Sequence, residues 1–499
     1  MTSENKRDVN LKKIKTAARI TLFLFLMLVI NYVIVFFAKD RSVGGWRTWE
    51  SFYSQEPDTI DVHFVGDSRV FWNINPAPVW NEYGIASFDL AAAGQPAILS
   101  YYSIKEALKT QHPQAVVLET SATDHDDELL DPLDNSKYFA GMKMSANKID
   151  LIASAMKHDP EKLLQSLLIL PVFRSKLFEF SKDCLIAEKN LRYPQTKKAG
   201  YKGANELFFY GSKDKDEIEY DDTKYSERHI EYLEKIEALC KENGVELLFT
   251  CTPNLAGSYQ TAIDTYVKEH GTRYLNCIEM ADDIGIIHQE FVDDEHLNFI
   301  GSEKASLYIG KYLIETMGVK GHDKSDPRYM SWQENLAYSN QMHNDYGLSE
   351  TNGLGTYFDC FPDENYILFI TLKGEYKAQD QGQRDILHQF YINDESYDLG
   401  GTWVIDGNDI IYYYVPGYSD DSWKTKASYR TLCIKDGEVY VDNMCYTVKD
   451  EDGGTIDSGL EVIVFDKLAG HVVDAVCFNA DKDYLIERSD IKHVYYEWY

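Results

Sequence analysis

Three short apolar runs, each stopping at a glycine or a polar residue with helical spacing nearby, constrain this chain more than any other feature. Ile60 to Val65 runs into Gly66-Asp67-Ser68-Arg69. Ala86 to Leu90 runs into Ala91-Ala92-Ala93-Gly94-Gln95-Pro96, and Pro113 to Thr120 ends on Glu119-Thr120. Between the last two, Ile98, Tyr102, Ile104 and Leu108 mark an amphipathic helix over Ile98 to Leu108. Strands alternating with helices predict a parallel sheet, so the fold class is α/β. In such sheets ligands bind outside the carboxyl ends of the strands. Ser68, Gly94 with Gln95, and Glu119 with Thr120 therefore share one edge.

A serine hydroxyl becomes a nucleophile only beside a base, and the base needs an orienting group. Both stand far along the chain in Val292-Asp293-Asp294-Glu295-His296-Leu297-Asn298. A carboxylate three residues before a histidine, on one turn, can accept from one imidazole nitrogen. The other nitrogen is then free to take the serine proton. Asp293 fits that spacing, with Asp294 and Glu295 as rivals. Taken alone, the segment also reads as an acidic surface turn. The surrounding chain completes the core. A helix carries Ile230, Leu233, Ile236 and Leu239 and stops near Asn243-Gly244; the strand Val245 to Thr250 and the loop Cys251-Thr252-Pro253-Asn254 follow. Ile287 to Val292 approaches a further strand end, and Leu297-Asn298-x-x-Gly301 opens a last helix, Ser302 to Met317.

Gly66-Asp67-Ser68-Arg69, Asp89-Leu90 leading to Gly94-Gln95, Tyr101-Tyr102, and Asp293-x-x-His296 together resemble the SGNH/GDSL hydrolase superfamily. The likeness is to its membrane-anchored branch, which includes teichoic acid D-alanyl transfer proteins and alginate O-acetyltransferases. The resemblance implies a flavodoxin-like parallel-sheet domain over 45–320. It implies Ser68 as nucleophile, His296 as base, Asp293 as orienting carboxylate and Gly94 as oxyanion donor. Gln95, Glu119, Thr120 and Asn298 are the further oxyanion or substrate-binding candidates. Where the family has Gly-x-Asn-Asp, this chain has Glu119-Thr120-Ser121, a departure shared by transferase-like members.

Composition narrows the partners. The formal charge is −31, from 81 acidic against 50 basic residues. Nucleic-acid binding needs a basic footprint and is not expected. The eight cysteines form no CxxC pair, so neither a metal nor a cofactor is expected; their even number permits bridges among Cys360, Cys433, Cys445 and Cys477. Residues 1–19 form a basic tail with Lys6, Arg7, Lys12, Lys13, Lys15 and Arg19. Residues 20–38 are apolar over about the length of a bilayer core. That order predicts a single-pass anchor with its amino terminus in the cytoplasm and the bulk outside, a cleaved signal peptide being the alternative.

Residues 126–225 read as a helical insertion over the sheet edge. Its acidic run around His125 (Asp124 to Asp134) is a solvated loop, and Lys197 to Gly203 is a locally basic one. Residues 321–354 read as a polar linker with a short helix near Trp332 to Ala337. Residues 355–499 switch to β-strands divided by Asp406-Gly407, Asp436-Gly437 and Asp452-Gly453-Gly454, a sandwich-like domain. Within it, Ser458 to Asp466 and Gly470 to Asn479 resemble the interleukin-like EMT inducer (PANDER-like) domain, over roughly 355–485. Some relatives bind carbohydrate, as does the stem of an O-mannose N-acetylglucosaminyltransferase. Two functions are thus expected. One is an extracytoplasmic O-acyltransferase (acetyl or D-alanyl) or esterase on a cell-surface polysaccharide or teichoic acid. The other is a non-catalytic glycan-binding scaffold partnering a multi-spanning membrane O-acyltransferase.

Overall fold

The computed structural model describes residues 3–38, 44–120, 141–168, 224–257, 260–361, 363–419 and 423–489, apart from 158, 429 and 436, together with Phe139 and Ile218. Among these residues the chain is mixed α/β, with one parallel sheet and two separate antiparallel sheets. The parallel sheet holds β1 (Val62–Gly66), β2 (Ser87–Ala91), β3 (Ala115–Glu119), β4 (Glu246–Cys251) and β5 (Tyr274–Asn276) in the order β2-β1-β3-β4-β5. This is the 2-1-3-4-5 order of flavodoxin-like folds. β1 is buried along its whole length, which is why apolar residues stand on both of its faces, with the buried His63 as the exception. Val62 and Phe64 face one layer with Val70, Ile309 and Leu313. Val65 faces the other, with Ile98, Ile104, Leu233, Ile236 and Ile263.

The helices follow their caps. Glu227–Asn243 begins at Ser226, whose side chain accepts from the His229 N–H, and ends at Gly244 in the left-handed conformation. Phe299–Glu315 begins at Asn298. Two expectations fail here. Ile287 to Val292 is not a strand: it holds a short 3₁₀ turn, His288–Glu290, and a tight reverse turn. The fifth strand is Tyr274–Asn276, three residues at the sheet edge, too short for any periodicity to mark it. The described part of the insertion also sits elsewhere than expected. Helix Ala146–Ala155 lies against helix Ala97–Ala107 on a sheet face, where Tyr102 Oη donates to Asp150 Oδ2 at 3.0 Å. The acidic run at 124–134 and the basic loop at 197–203 fall outside the described residues.

The stretch expected as a linker is instead a 21-residue helix, Met330–Glu350. Trp332 enters the core of the parallel sheet, Met342 packs on Phe299, and Leu348 enters the core of the carboxyl-terminal sheet. Its periodicity is hidden because many of its buried positions are polar: Asn335, Ser339, Gln341 and Asp345. Each such group needs a partner in the interior. Gln341 accepts from Asn365 at 2.9 Å and Asp345 accepts from Tyr366 Oη at 2.7 Å.

Beyond it, a six-stranded antiparallel sheet runs β15 (Leu485–Arg488), β14 (His471–Asn479), β13 (Gly459–Asp466), β6 (Tyr366–Lys373), β7 (Gly401–Asp406), β8 (Asp409–Tyr414). A four-stranded sheet runs β12 (Met444–Tyr446), β11 (Glu438–Val441), β10 (Arg430–Lys435), β9 (Lys424–Ala427). Phe369, Ile463 and Phe465 of the first meet Leu432, Ile434 and Val439 of the second. The opposite face of the larger sheet is covered by helical residues such as Tyr357, Phe358 and Leu387. No bridge forms among the last four cysteines; all four are free thiols, as are the other described cysteines, Cys240, Cys251 and Cys277. Helix Ser3–Ala38 spans the basic tail and the apolar run. Among the described residues, no helix is long and apolar enough to cross a membrane.

The seam between the long helix and the larger sheet contains a carboxyl pair. Burial and the nearby Asp466 charge push the Asp345 carboxyl well above the usual range. Burial likewise raises Asp466, which accepts from Asp345 and from the N–H groups of Leu468 and Ala469. The groups around the pair are Tyr366, Gln341 and Asp363. Both carboxyls are raised above their unfolded values. Their contribution to stability is therefore complete below the ordinary carboxylate range, near pH 4, and is lost as pH rises through the folded values. Asp345→Asn imitates the protonated partner, with its Nδ2 as donor and its Oδ1 still accepting from Tyr366. It should raise the melting temperature by a few degrees at about pH 8 and flatten its fall from about pH 4. Calorimetry across that range checks this; an unchanged pH slope would sink it.

Candidate active site

β1 ends at Gly66, where any side chain would collide. A Cβ there would stand 2.8 Å from Val70 Cγ2 and 2.9 Å from Glu119 Cβ. The bare backbone lets the chain turn sharply past the end of β3. Asp67 then caps helix Ser68–Asn73, accepting from the Arg69 N–H at 2.9 Å. Ser68 is the first residue of that helix and is half-buried.

The histidine arrives on the reverse turn that replaced the expected strand. Val292 N–H donates to His296 O at 2.8 Å, and Phe291 bridges Leu297. Asp293 Oδ1 accepts the backbone N–H groups of Glu295 at 2.8 Å and His296 at 2.9 Å, which locks the turn. Both Asp293 oxygens lie 2.9 Å from His296 Nδ1. With a carboxylate accepting there, Nδ1 carries the proton and Nε2 is an acceptor. Nε2 stands 2.8 Å from Ser68 Oγ. The Trp72 ring lies 5.3 Å from the imidazole and limits its rotation. Burial opposes ionisation of Asp293, but the hydrogen bonds and charge of His296 and the two backbone N–H groups outweigh it and hold its carboxyl below the usual range.

The structure therefore brings Ser68, His296 and Asp293 together. The other candidates are placed differently. Gly94 sits in the left-handed conformation in the loop after β2, beside the end of β1. Gln95 is buried and donates to Ser100 Oγ at 3.1 Å. Glu119 accepts from the Thr252 N–H at 3.3 Å, and the Thr120 hydroxyl donates to Thr250 O at 3.1 Å, so both knit β3 to β4. Asn298 caps its helix by accepting from Ile300 and Gly301, and donates to Gln289 O. These bonds give Gln95, Glu119, Thr120 and Asn298 structural partners within the sheet, the loop after β2 and the helix cap.

Sequence reasoning passed over Arg69, Trp72 and Asn73. Arg69 is 1% exposed, donates from Nη2 to Glu295 Oε1 at 2.7 Å, and has Nη1 3.5 Å from Asp67 Oδ2. Burial works against its charge, but Asp67, Glu119 and Glu295 more than offset this and raise its pKa. The signal was available: an arginine and an asparagine flanking Val70-Phe71-Trp72 are polar groups in a run that must be buried.

Neither family models nor curated proteins match the chain. Solved structures do match, among them a candidate acylhydrolase from Bacteroides fragilis at 12% identity and a TM-score of 0.28, covering 56% of this chain and 99% of that one.

Proposed function

We propose that the chain is a serine-dependent acyl-transfer enzyme of the SGNH type. The observation that carries this is the line of contacts from Ser68 Oγ to His296 Nε2, and from Nδ1 to Asp293. Ser68 Oγ attacks an acyl carbonyl while His296 Nε2 takes its proton. The bond to the donor's leaving group breaks and that group takes the proton, leaving an acyl-serine. An acceptor hydroxyl, or water, then attacks and gives its proton to His296, and the Ser68 ester bond breaks as Nε2 returns that proton to Oγ. The N–H groups of Ser68 and Gly94 are the oxyanion donors in this reading, each worth roughly 3 kcal/mol.

The acceptor we propose is a cell-surface polysaccharide or teichoic acid, held by the carboxyl-terminal domain. A multi-spanning membrane O-acyltransferase would supply the acetyl or D-alanyl group. Residues 20–38 would be the anchor, with the bulk outside the cell. In support, Ile20, Leu22 to Met27, Val29 and Ile30 are all exposed, so their helix presents apolar side chains in every direction to solvent. Residues 1–43 should be what retains the chain in a membrane pellet; retention after their removal would refute the anchor. The engagement of Glu119 and Thr120 within the sheet supports the second reading, a glycan-binding scaffold, because, among the described residues of that block, Glu119 is an acceptor and the Thr120 hydroxyl already donates to Thr250 O.

A fluorophosphonate probe and an aryl acetate separate the two. The purified protein should be labelled on Ser68 and turn over the ester, and Ser68→Ala should abolish both. A wild type that is neither labelled nor active leaves the scaffold reading.

A further inference from the structure

We infer that Asn73 is the positioning residue for His296; the inference rests on the acyl-transfer reading for its kinetic consequence but not for its geometry. Asn73 is the last residue of the helix that Ser68 opens, and it is fully buried. Its Nδ2 donates to Glu295 O at 3.1 Å, and its Oδ1 accepts from the Leu297 N–H at 2.8 Å. These are the backbone groups immediately before and after His296. The same Nδ2 reaches Thr252 Oγ1 at 3.0 Å and Pro253 O at 3.3 Å, joining the loop after β4. The amide orientation is fixed by chemistry, since only oxygen can accept from Leu297 N–H and only nitrogen can donate to the two carbonyls.

The consequence is mechanical. Ser68 and His296 are 228 residues apart in sequence, on different elements. The Ser68–His296 distance therefore depends on how firmly the histidine turn is tied to the serine helix. Asp293 fixes the imidazole within its own turn; Asn73 ties that turn to the helix. A misplacement of about 1 Å can cost roughly 10²-fold in rate.

The test uses the full chain. Asn73→Leu removes all four bonds at similar volume, and Asn73→Asp keeps only the acceptor. Thr252→Val removes one bond and leaves those flanking His296. Two readouts are independent: the rate of fluorophosphonate labelling at Ser68, and the downfield proton resonance of the His296 Nδ1–H, assigned by its absence in His296→Gln. Asn73→Leu should lower labelling and kcat roughly 10²-fold with KM little changed, and should broaden or shift the resonance. Thr252→Val should stay within about threefold, because the clamp on the turn remains. Folded Asn73 variants with unchanged rate and resonance would overturn the inference, and so would a Thr252→Val loss of equal size. Failure of both Asn73 variants to fold would place the residue in the core alone and would overturn it too. An unreactive wild type whose resonance is present, and is lost in the Asn73 variants, would sink the acyl-transfer reading and leave the positioning role standing. Absence of the resonance from the wild type would sink both.

Discussion

His296→Gln should lower kcat/KM for an aryl ester by about 10⁴-fold while leaving the melting temperature close to the wild-type value. The ring is half-buried and its partners are Ser68, Asp293 and the face of Trp72, so its replacement removes the base without opening a core cavity. Asp293→Asn should cost a comparable factor for another reason. An amide at 293 can present its nitrogen to Nδ1 and favour the wrong tautomer, which places a proton on Nε2 where an acceptor is required. The pair should not be additive, because both act on the same proton transfer; a double variant falling much further than either single one would argue against a shared step. The carboxyl of Asp293 is held below its usual range, so the orienting bond should persist to below about pH 4. A carboxylate of lowered folded pKa contributes stability above its unfolded value and loses it only as pH falls through the folded one. The turn should therefore be lost only on acidification below that range, which circular dichroism across pH can show.

The contact of Ser68, His296 and Asp293 was legible in the chain because those residues are compressed into two stretches. Gly66-Asp67-Ser68 and Asp293-x-x-His296 are each a strand end or tight turn with a fixed spacing, and local spacing survives in a sequence. The parallel strands β1 to β4 were legible for a related reason: strands buried mostly on both faces are rich in apolar residues, with His63, Ser87 and Asp89 as buried exceptions in β1 and β2. What was hidden depended on partners far away. Met330–Glu350 reads as a polar linker because its buried Ser339, Gln341 and Asp345 find their partners in other elements. The same blindness affected Glu119 and Thr120. Each looked like a free polar group at a strand end, and each is engaged by backbone of β4 or the residue after it, which only the fold brings near. Asn73 is the converse case, an unremarked amide within an apolar run that meets two distant loops.

Arg69→Met should destabilise the protein by about 3–5 kcal/mol at neutral pH, measured by urea unfolding. The guanidinium is almost wholly buried, so its neighbours depend on it in a way surface pairs do not. Asp67 and Glu119 are 5% and 3% exposed, and without the cation each becomes a buried carboxylate with no opposing charge. Glu295 contributes little to that loss, because its side chain is 43% exposed and water can replace its partner. The deficit should shrink toward acid. Neutral carboxyls carry no buried charge for the cation to oppose, so its loss matters less in acid. Arg69→Lys should fall between the two proteins, because one ammonium retains the charge but cannot reach Asp67 and Glu295 together as a planar fork does. If instead Arg69→Met costs under about 1 kcal/mol, or its cost grows toward acid, Arg69 is not the charge on which this corner depends. The position matters to the chemistry as well as to stability. Arg69 holds Glu295, the residue before His296, from one side, while Asn73 holds its carbonyl from the other. The same short helix thus supplies the serine, the buried cation and the amide that fix where the histidine turn must lie.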